Sequence, residues 1–97
     1  MAKRVVWSKP AVADRISILE YWLTRTGSRT YSRRLNLDIQ RVVQLLSQFP
    51  ALGRRLQGRE ERFFVVDHYL VIYFDAPERI EILHVWDSRR NPENLPI

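Results

Sequence analysis

Pro50 divides this chain between two kinds of hydrophobic repeat. Upstream of it, apolar residues return every three or four positions; downstream they alternate or run together in short bursts. A period near 3.6 lays one stripe along a helix, whereas a period of two sends successive side chains to opposite faces of a strand. The chain therefore builds a helical part and then a sheet part. With 97 residues it has room for one domain, so both must share a single core.

The upstream half opens with Lys3 to Trp7, a β-branched and aromatic run that predicts a first strand. Ser8 is placed to cap a helix with Pro10 in its first turn. Val12, Ile16, Leu19 and Leu23 then recur at helical spacing, with Ile18 and Trp22 widening the stripe. Asp14 lies near the helix start, where negative charge suits the macrodipole. Gly27 ends this helix, and Ser28 or Thr30 caps a second one. There Tyr31, Leu35, Ile39, Val42, Leu46 and Phe49 form a long amphipathic stripe that Pro50 stops. Two helices joined by so short a link form an antiparallel hairpin.

Downstream, Ala51 to Gly58 is a Gly-punctuated, Arg-rich connector. Three strand-like runs follow, Arg62 to Val66, Tyr69 to Phe74 and Arg79 to Trp86, with turns at Asp67-His68 and at Asp75 to Glu78. Tight links make these an antiparallel meander. The tail from Asp87 to Ile97 is polar, holds two prolines and is expected to be irregular. The order is β-α-α-β-β-β over residues 1–97, an α+β domain with the helical hairpin packed on one face of a small, mainly antiparallel twisted sheet. Alternation puts Ile80, Ile82, His84 and Trp86 on one side of the last strand. In the middle strand both Tyr69, Val71, Tyr73 and Leu70, Ile72, Phe74 are apolar, which predicts a central strand covered on both faces. The helices cover one face only, so a partner segment is expected on the other.

Sixteen basic residues face eleven acidic ones, for a formal charge of +5, and fourteen of the sixteen are Arg. Arginine is favoured where planar, bidentate contact with carboxylate or phosphate matters, which suits an anionic partner, nucleic acid or acidic peptide. An Arg-rich host genome is the bland source of the same excess. The chain has no Cys, which excludes a disulfide framework and a thiolate zinc site. It has no His pair at metal spacing and no Gly-rich phosphate loop, so no metal and no cofactor are expected. RNA-recognition, KH and zinc motifs are missing too. The N-terminus passes straight into a strand without an apolar leader, and no segment reaches membrane-spanning length, so the expectation is a cytoplasmic protein with no membrane contact.

Three stretches, Phe49 to Arg55 (FPALGRR), Tyr69 to Tyr73 (YLVIY) and Ile82 to Pro92 (ILHVWDSRRNP), together with this order of elements, make the chain resemble the RelE/ParE superfamily of toxins from type II toxin–antitoxin systems. The resemblance covers nearly the whole length. It implies a growth-arresting toxin bound in a hetero-oligomer by a cognate antitoxin, usually acidic and partly disordered when free, whose strand or helix extends or covers the sheet. Strand addition supplies main-chain hydrogen bonds and pockets supply specificity, with the ordering of the peptide offset by a wide contact surface.

The resemblance also implies one of two poisons. RelE-like members cut messenger RNA on the ribosome, which needs cations and a general acid or base converging on one phosphate. On that reading the candidates are Arg62, Arg89, Arg90 and His84, whose ordinary pKa is near neutrality. The Arg that recurs after the first aromatic of the middle strand in the nuclease branch is here Leu70, no Tyr follows Tyr73, and Asp87 stands where many relatives carry His. His84, on an apolar face by alternation, reads as a packed core residue, and His68 as a solvated turn residue. ParE-like members lack that residue set and poison DNA gyrase by contact. On that reading, the preferred one, the contacts to target or antitoxin are Arg54, Arg55, Arg59, Arg62, Trp86, Arg89 and Arg90. The run from Arg54 to Arg62 can equally be a solvated face paired locally with Glu60 and Glu61, and exposed pairs of that kind stabilise little.

Overall fold

β1 (Arg4–Trp7) stops at Ser8, which starts the first helix. In the computed structural model, which describes residues 2–90, the Ser8 hydroxyl accepts the Ala11 N–H at 3.1 Å, and Pro10 lies in the first turn of α1 (Lys9–Thr26). A serine cap and an early proline satisfy or remove N–H groups that have no helical partner. Gly27, at φ 67°, closes α1 in the left-handed region and donates its N–H to the Leu23 carbonyl, a conformation that costs glycine no steric strain. Of the two expected caps, Ser28 opens α2 (Arg29–Gln48), and its hydroxyl accepts the Thr30 N–H at 3.2 Å.

The sheet has five strands in the order β1-β5-β4-β3-β2. β3 (Arg62–Val66), β4 (Tyr69–Asp75) and β5 (Arg79–Asp87) form the expected antiparallel meander. β1 pairs parallel with β5, because the chain returns to the sheet only after the helical hairpin. A fifth strand was not expected: β2 (Arg54–Arg55) pairs antiparallel with Arg62 and Phe63 inside the stretch read as connector. Two residues are too few to carry a periodic signal. β4 is central, as expected.

The helices lie on one face of the sheet. Leu35, Ile39, Val43 and Leu46 of α2 pack with Val71, Tyr73, Ile80, Ile82 and Val85 into one core. Each such side chain withdrawn from water contributes about 1.5–3 kcal/mol. The stripe expected on α1 is corrected. Ala11 is buried and Ile18, Leu19 and Trp22 pack on the core, whereas Val12, Ile16 and Leu23 are 42%, 51% and 40% exposed. Two apolar stripes overlap on this helix, and the sheet selects the one through Ala11. On α2, Phe49 is also exposed rather than part of the buried stripe.

Alternation fails in β5 as well. Ile82 pairs with Tyr73 and His84 with Ile72, leaving Leu83 without a partner as a bulge residue. One extra residue shifts every later side chain to the other face. Ile80 and Ile82 therefore share the core with Val85, and Trp86, opposite Leu70, lies on the face away from the helices. Asp14 is likewise corrected: it is not in the first turn of α1, and its carboxylate reaches β5 instead. Asp87 belongs to β5, and Ser88 to Arg90 form a turn. The rest of the expected irregular tail, 91–97, lies outside the described residues. Among the described residues no helix is long and apolar enough to cross a membrane.

Candidate functional site

Residues paired across neighbouring strands share a face. The pairs Phe63 with Ile72, Val65 with Leu70, Leu70 with Trp86 and Phe74 with Glu81 thus define the face away from the helices. Val6 of β1, opposite Glu81, joins it. Ile72 is fully buried at its centre, but Val65 is 55% exposed and Phe63, Leu70 and Phe74 are only half-buried. An apolar sheet face thus remains partly open to solvent among the described residues.

Cations edge that face. Arg54 of β2 pairs with Phe63 and Arg4 of β1 with Arg79 of β5, so all three arginines lie at its margins. Arg90 sits over the Trp86 ring at 5.3 Å from its centroid, a cation–π contact. Glu81, held by Arg79 at 2.7 Å, is the carboxylate on this face among the described residues. Apolar surface with a cationic margin is complementary to an amphipathic, acidic segment.

The far end of β5 holds a second feature. β1 covers only Arg79 to Ile82, so the following residues of β5 have no neighbouring strand on that side. The Ser8 hydroxyl donates to the Leu83 carbonyl at 2.9 Å, and the Asp14 carboxylate accepts the Val85 N–H at 3.1 Å and lies 3.0 Å from His84 Nδ1. Beside this plug a cleft of about 410 Å³ opens between α1 and the strand ends, bounded by Ser17, Tyr21, Tyr69, Asp87, Arg89 and Arg90. Arg89 binds the Asp87 carboxylate in bidentate fashion, at 2.7 and 3.0 Å. This hydrogen bonding holds the Asp87 carboxyl below its ordinary range and raises the Arg89 guanidinium. Burial pushes the Tyr69 hydroxyl up, although it accepts the Trp22 indole N–H at 2.6 Å.

The connector residues are placed differently from one another. Arg62 donates to the carbonyls of Gly53 at 2.7 Å and Ala51 at 3.4 Å, so it fastens the connector to the sheet. Tyr73 does the same from the next strand, donating to the Pro50 carbonyl at 2.7 Å and accepting the Gly53 N–H at 2.9 Å. Arg55 pairs with Arg62, on the opposite face from Arg54, and donates to the Arg59 carbonyl at 3.2 Å. Arg59 pairs with Glu61 at 3.3 Å, and its hydrogen bond lowers the Glu61 pKa.

The four residues needed for phosphate cleavage do not converge. Arg62 is opposite Tyr73, whereas Asp87, two residues before Arg89 and bound to it, is opposite Tyr69. Four residues along a strand separate those levels by about 13 Å. His84 is turned to Asp14, with its side chain only 12% exposed. Trp86, Arg54 and Arg90, in contrast, share one surface. Sequence reasoning missed the open-face residues Phe63, Val65 and Leu70 as a unit, although alternation in β3 and β4 carried the signal. It also missed Asp14, whose contact with β5 spans a sequence distance no local pattern reports.

The sequence profile of the ParE toxin of the type II toxin–antitoxin system parDE matches residues 5–92. A solved structure described as the chromosomal ParDE toxin–antitoxin system from P. aeruginosa has the same fold, with a TM-score of 0.79 at 18% identity over 91% of this chain and 98% of that one. Comparison with curated proteins finds no match. With a profile covering most of its length, an α+β fold shared with a ParDE structure and a helical hairpin backing a five-stranded sheet, the chain belongs to the ParE toxin family of type II toxin–antitoxin systems.

Proposed function

We propose that this toxin is held inactive by an acidic antitoxin segment laid on the open sheet face, and that, once released, it arrests growth by poisoning DNA gyrase through surface contact. The observation that carries the reading is the partly exposed apolar face, Phe63, Val65, Leu70 and Phe74, edged by Arg4, Arg54, Arg79 and Arg90. A segment ordered there hides apolar area at the centre and pairs its carboxylates at the margin, where complementary charge sets specificity and association rate. Trp86, 8% exposed beneath Arg90, is the aromatic floor of that surface. Arg55, Arg59 and Arg89 are offered as peripheral contacts, and Arg62 contributes by holding the connector in place. Gyrase acts on DNA in the cytoplasm, where we also place the toxin.

Contact poisoning asks only for such a surface, whereas cleavage asks for a convergent acid, base and cation set. The spread of Arg62, His84 and Arg89 over different levels of the sheet supports the former. The test is a pair of assays on the purified chain. Inhibition of gyrase supercoiling, with messenger RNA left uncut on translating ribosomes, is expected. Codon-specific cuts at the ribosomal A site with supercoiling unaffected would overturn the gyrase reading in favour of a ribosome-dependent endoribonuclease. Rescue of growth by an acidic antitoxin, lost when the open face is altered, tests the neutralising contact separately.

A further inference from the structure

The tip of the helical hairpin carries Arg25, Arg29, Arg33 and Arg34, and no acidic residue lies between Glu20 and Asp38. All four arginines are exposed. Arg34 approaches Asp67 at 3.9 Å and lies over the Tyr31 ring at 5.1 Å. Arg25, Arg29 and Arg33 have no carboxylate within ion-pair distance among the described residues. α2 has no acid in its first turn and begins with Arg29. Positive charge there opposes the macrodipole, and Arg29 and Arg33, one turn apart, repel each other. Arg25, in the last turn of α1, suits that helix's dipole, but Arg29 and Arg33 gain no such support from the fold and are open to an anion outside the chain.

Hydroxyl groups make the tip well defined. Thr26 donates to the Trp22 carbonyl at 2.7 Å, Ser28 caps α2, and Ser32 donates to the Leu19 carbonyl at 3.1 Å. Between Leu23 and Leu37 the tip exposes no large aliphatic side chain. Its one aromatic, Tyr31, is half-buried edge-on to Trp22 at 4.9 Å. Peptides are held by apolar anchors at the interface centre with charge at the rim, and this surface has charge alone. A phosphodiester backbone needs only cations, and Arg29 and Arg33 offer two about 6 Å apart along the helix axis.

We propose that the hairpin tip is a nucleic-acid-binding surface, with Arg25, Arg29 and Arg33 neutralising phosphodiester groups of the backbone. The tip belongs to the helical layer, behind the sheet, so it stays accessible whatever occupies the open face. The inference is thus independent of the gyrase reading.

Binding of the full chain to fluorescent 20-nucleotide probes, one duplex DNA and one single-stranded RNA, is measured by anisotropy across a salt series. Loss of affinity with salt is expected for at least one probe, and the probe bound more tightly identifies the source of the backbone. The triple variant Arg25→Gln, Arg29→Gln, Arg33→Gln should flatten the slope of log K against log salt by about two to three. A control that removes exposed cations elsewhere, Lys9→Gln with Arg41→Gln, should keep the wild-type slope and an affinity within about threefold of wild type, compared per charge removed. Equal losses in the two variants, an unchanged slope in the first, or competition by polyglutamate as effective as by DNA of equal charge would each overturn the proposal. Should the triple variant unfold, the single variants Arg29→Gln and Arg33→Gln carry the test, each flattening the slope by about one.

Discussion

Asp14 stands where a neighbouring strand would otherwise be, its carboxylate accepting the Val85 N–H at 3.1 Å on the side of β5 that β1 leaves uncovered. The same oxygen lies 3.0 Å from His84 Nδ1. A single side chain on α1 thus satisfies a backbone donor just after the β-bulge and ties the hairpin to the sheet. An unsatisfied edge donor is also a template for association with another chain, which this arrangement blunts.

Replacing Asp14 by Ala leaves the Val85 N–H and His84 without their partner. The expected cost is about 1–3 kcal/mol, which for a domain of this size lowers Tm by about 4–8 °C per kcal/mol. His84→Ala should cost a comparable amount, and the double variant less than the sum, with a coupling of about 0.5–3 kcal/mol. Urea unfolding of the four proteins measures it. Strict additivity would mean that the two side chains act separately.

Gly53 has no room for a side chain. A Cβ there would meet the Phe63 carbonyl oxygen and Tyr73 Cε1, each at 2.7 Å. Gly53→Ala is therefore expected to destabilise by about 1–3 kcal/mol as an overpacking change. Tyr73→Phe should cost about 1–3 kcal/mol by a different route, since the Gly53 N–H loses its acceptor. Combining them should not restore stability, because the Phe63 carbonyl still blocks the methyl group. Recovery in the double variant would show that the hydroxyl alone sets the spacing.

Alkaline pH probes the hairpin's anchorage. Burial and the hydrogen bond to Asp67 push the Tyr31 hydroxyl up to about 12 from its ordinary value of 10.0. Burial also raises Tyr69 and Tyr73. A folded pKa above the unfolded one means that the stabilisation is complete below about pH 10 and is lost as pH rises toward 12. Denaturant midpoints should thus fall over that window. Tyr31→Phe should make the fall shallower while leaving the part due to Tyr69 and Tyr73. An identical pH profile in the variant would remove Tyr31 from the account.

The strands were legible because β-branched and aromatic residues cluster in them. Ser8, Gly27 and Pro50 marked helix ends through local chemistry that needs no knowledge of the rest of the chain. What could not be read depended on contacts distant in sequence. Val12, Ile16, Leu19 and Leu23 form as good a stripe as the one through Ala11, Ile18 and Trp22, and only the position of the sheet decides between them. Leu83 adds one residue to β5 and moves Trp86 from the expected core face to the open one. Strict alternation has no term for a bulge. For the candidate site, alternation grouped Trp86 with Ile80 and Ile82, while Trp86, Arg54 and Arg90 were named as contacts through the family resemblance and not through any periodic signal.

The open face is tested most directly at Val65. It is 55% exposed in β3, opposite Leu70, so a charge there disturbs little of the core. Val65→Asp is expected to leave unfolding free energy within about 1 kcal/mol of wild type, as at other exposed positions. It nevertheless puts an unpaired carboxylate against an acidic segment, adding like-charge repulsion to the loss of apolar contact. Antitoxin affinity should fall at least about tenfold, or roughly 1.4 kcal/mol, measured by calorimetry with the purified antitoxin. Leu37, exposed on α2 behind the sheet, supplies the comparison. Leu37→Asp should leave the affinity unchanged, because its helix packs on the other side of the sheet. A loss confined to Leu37→Asp would place the antitoxin on the helical layer, and the open face would then need a different occupant.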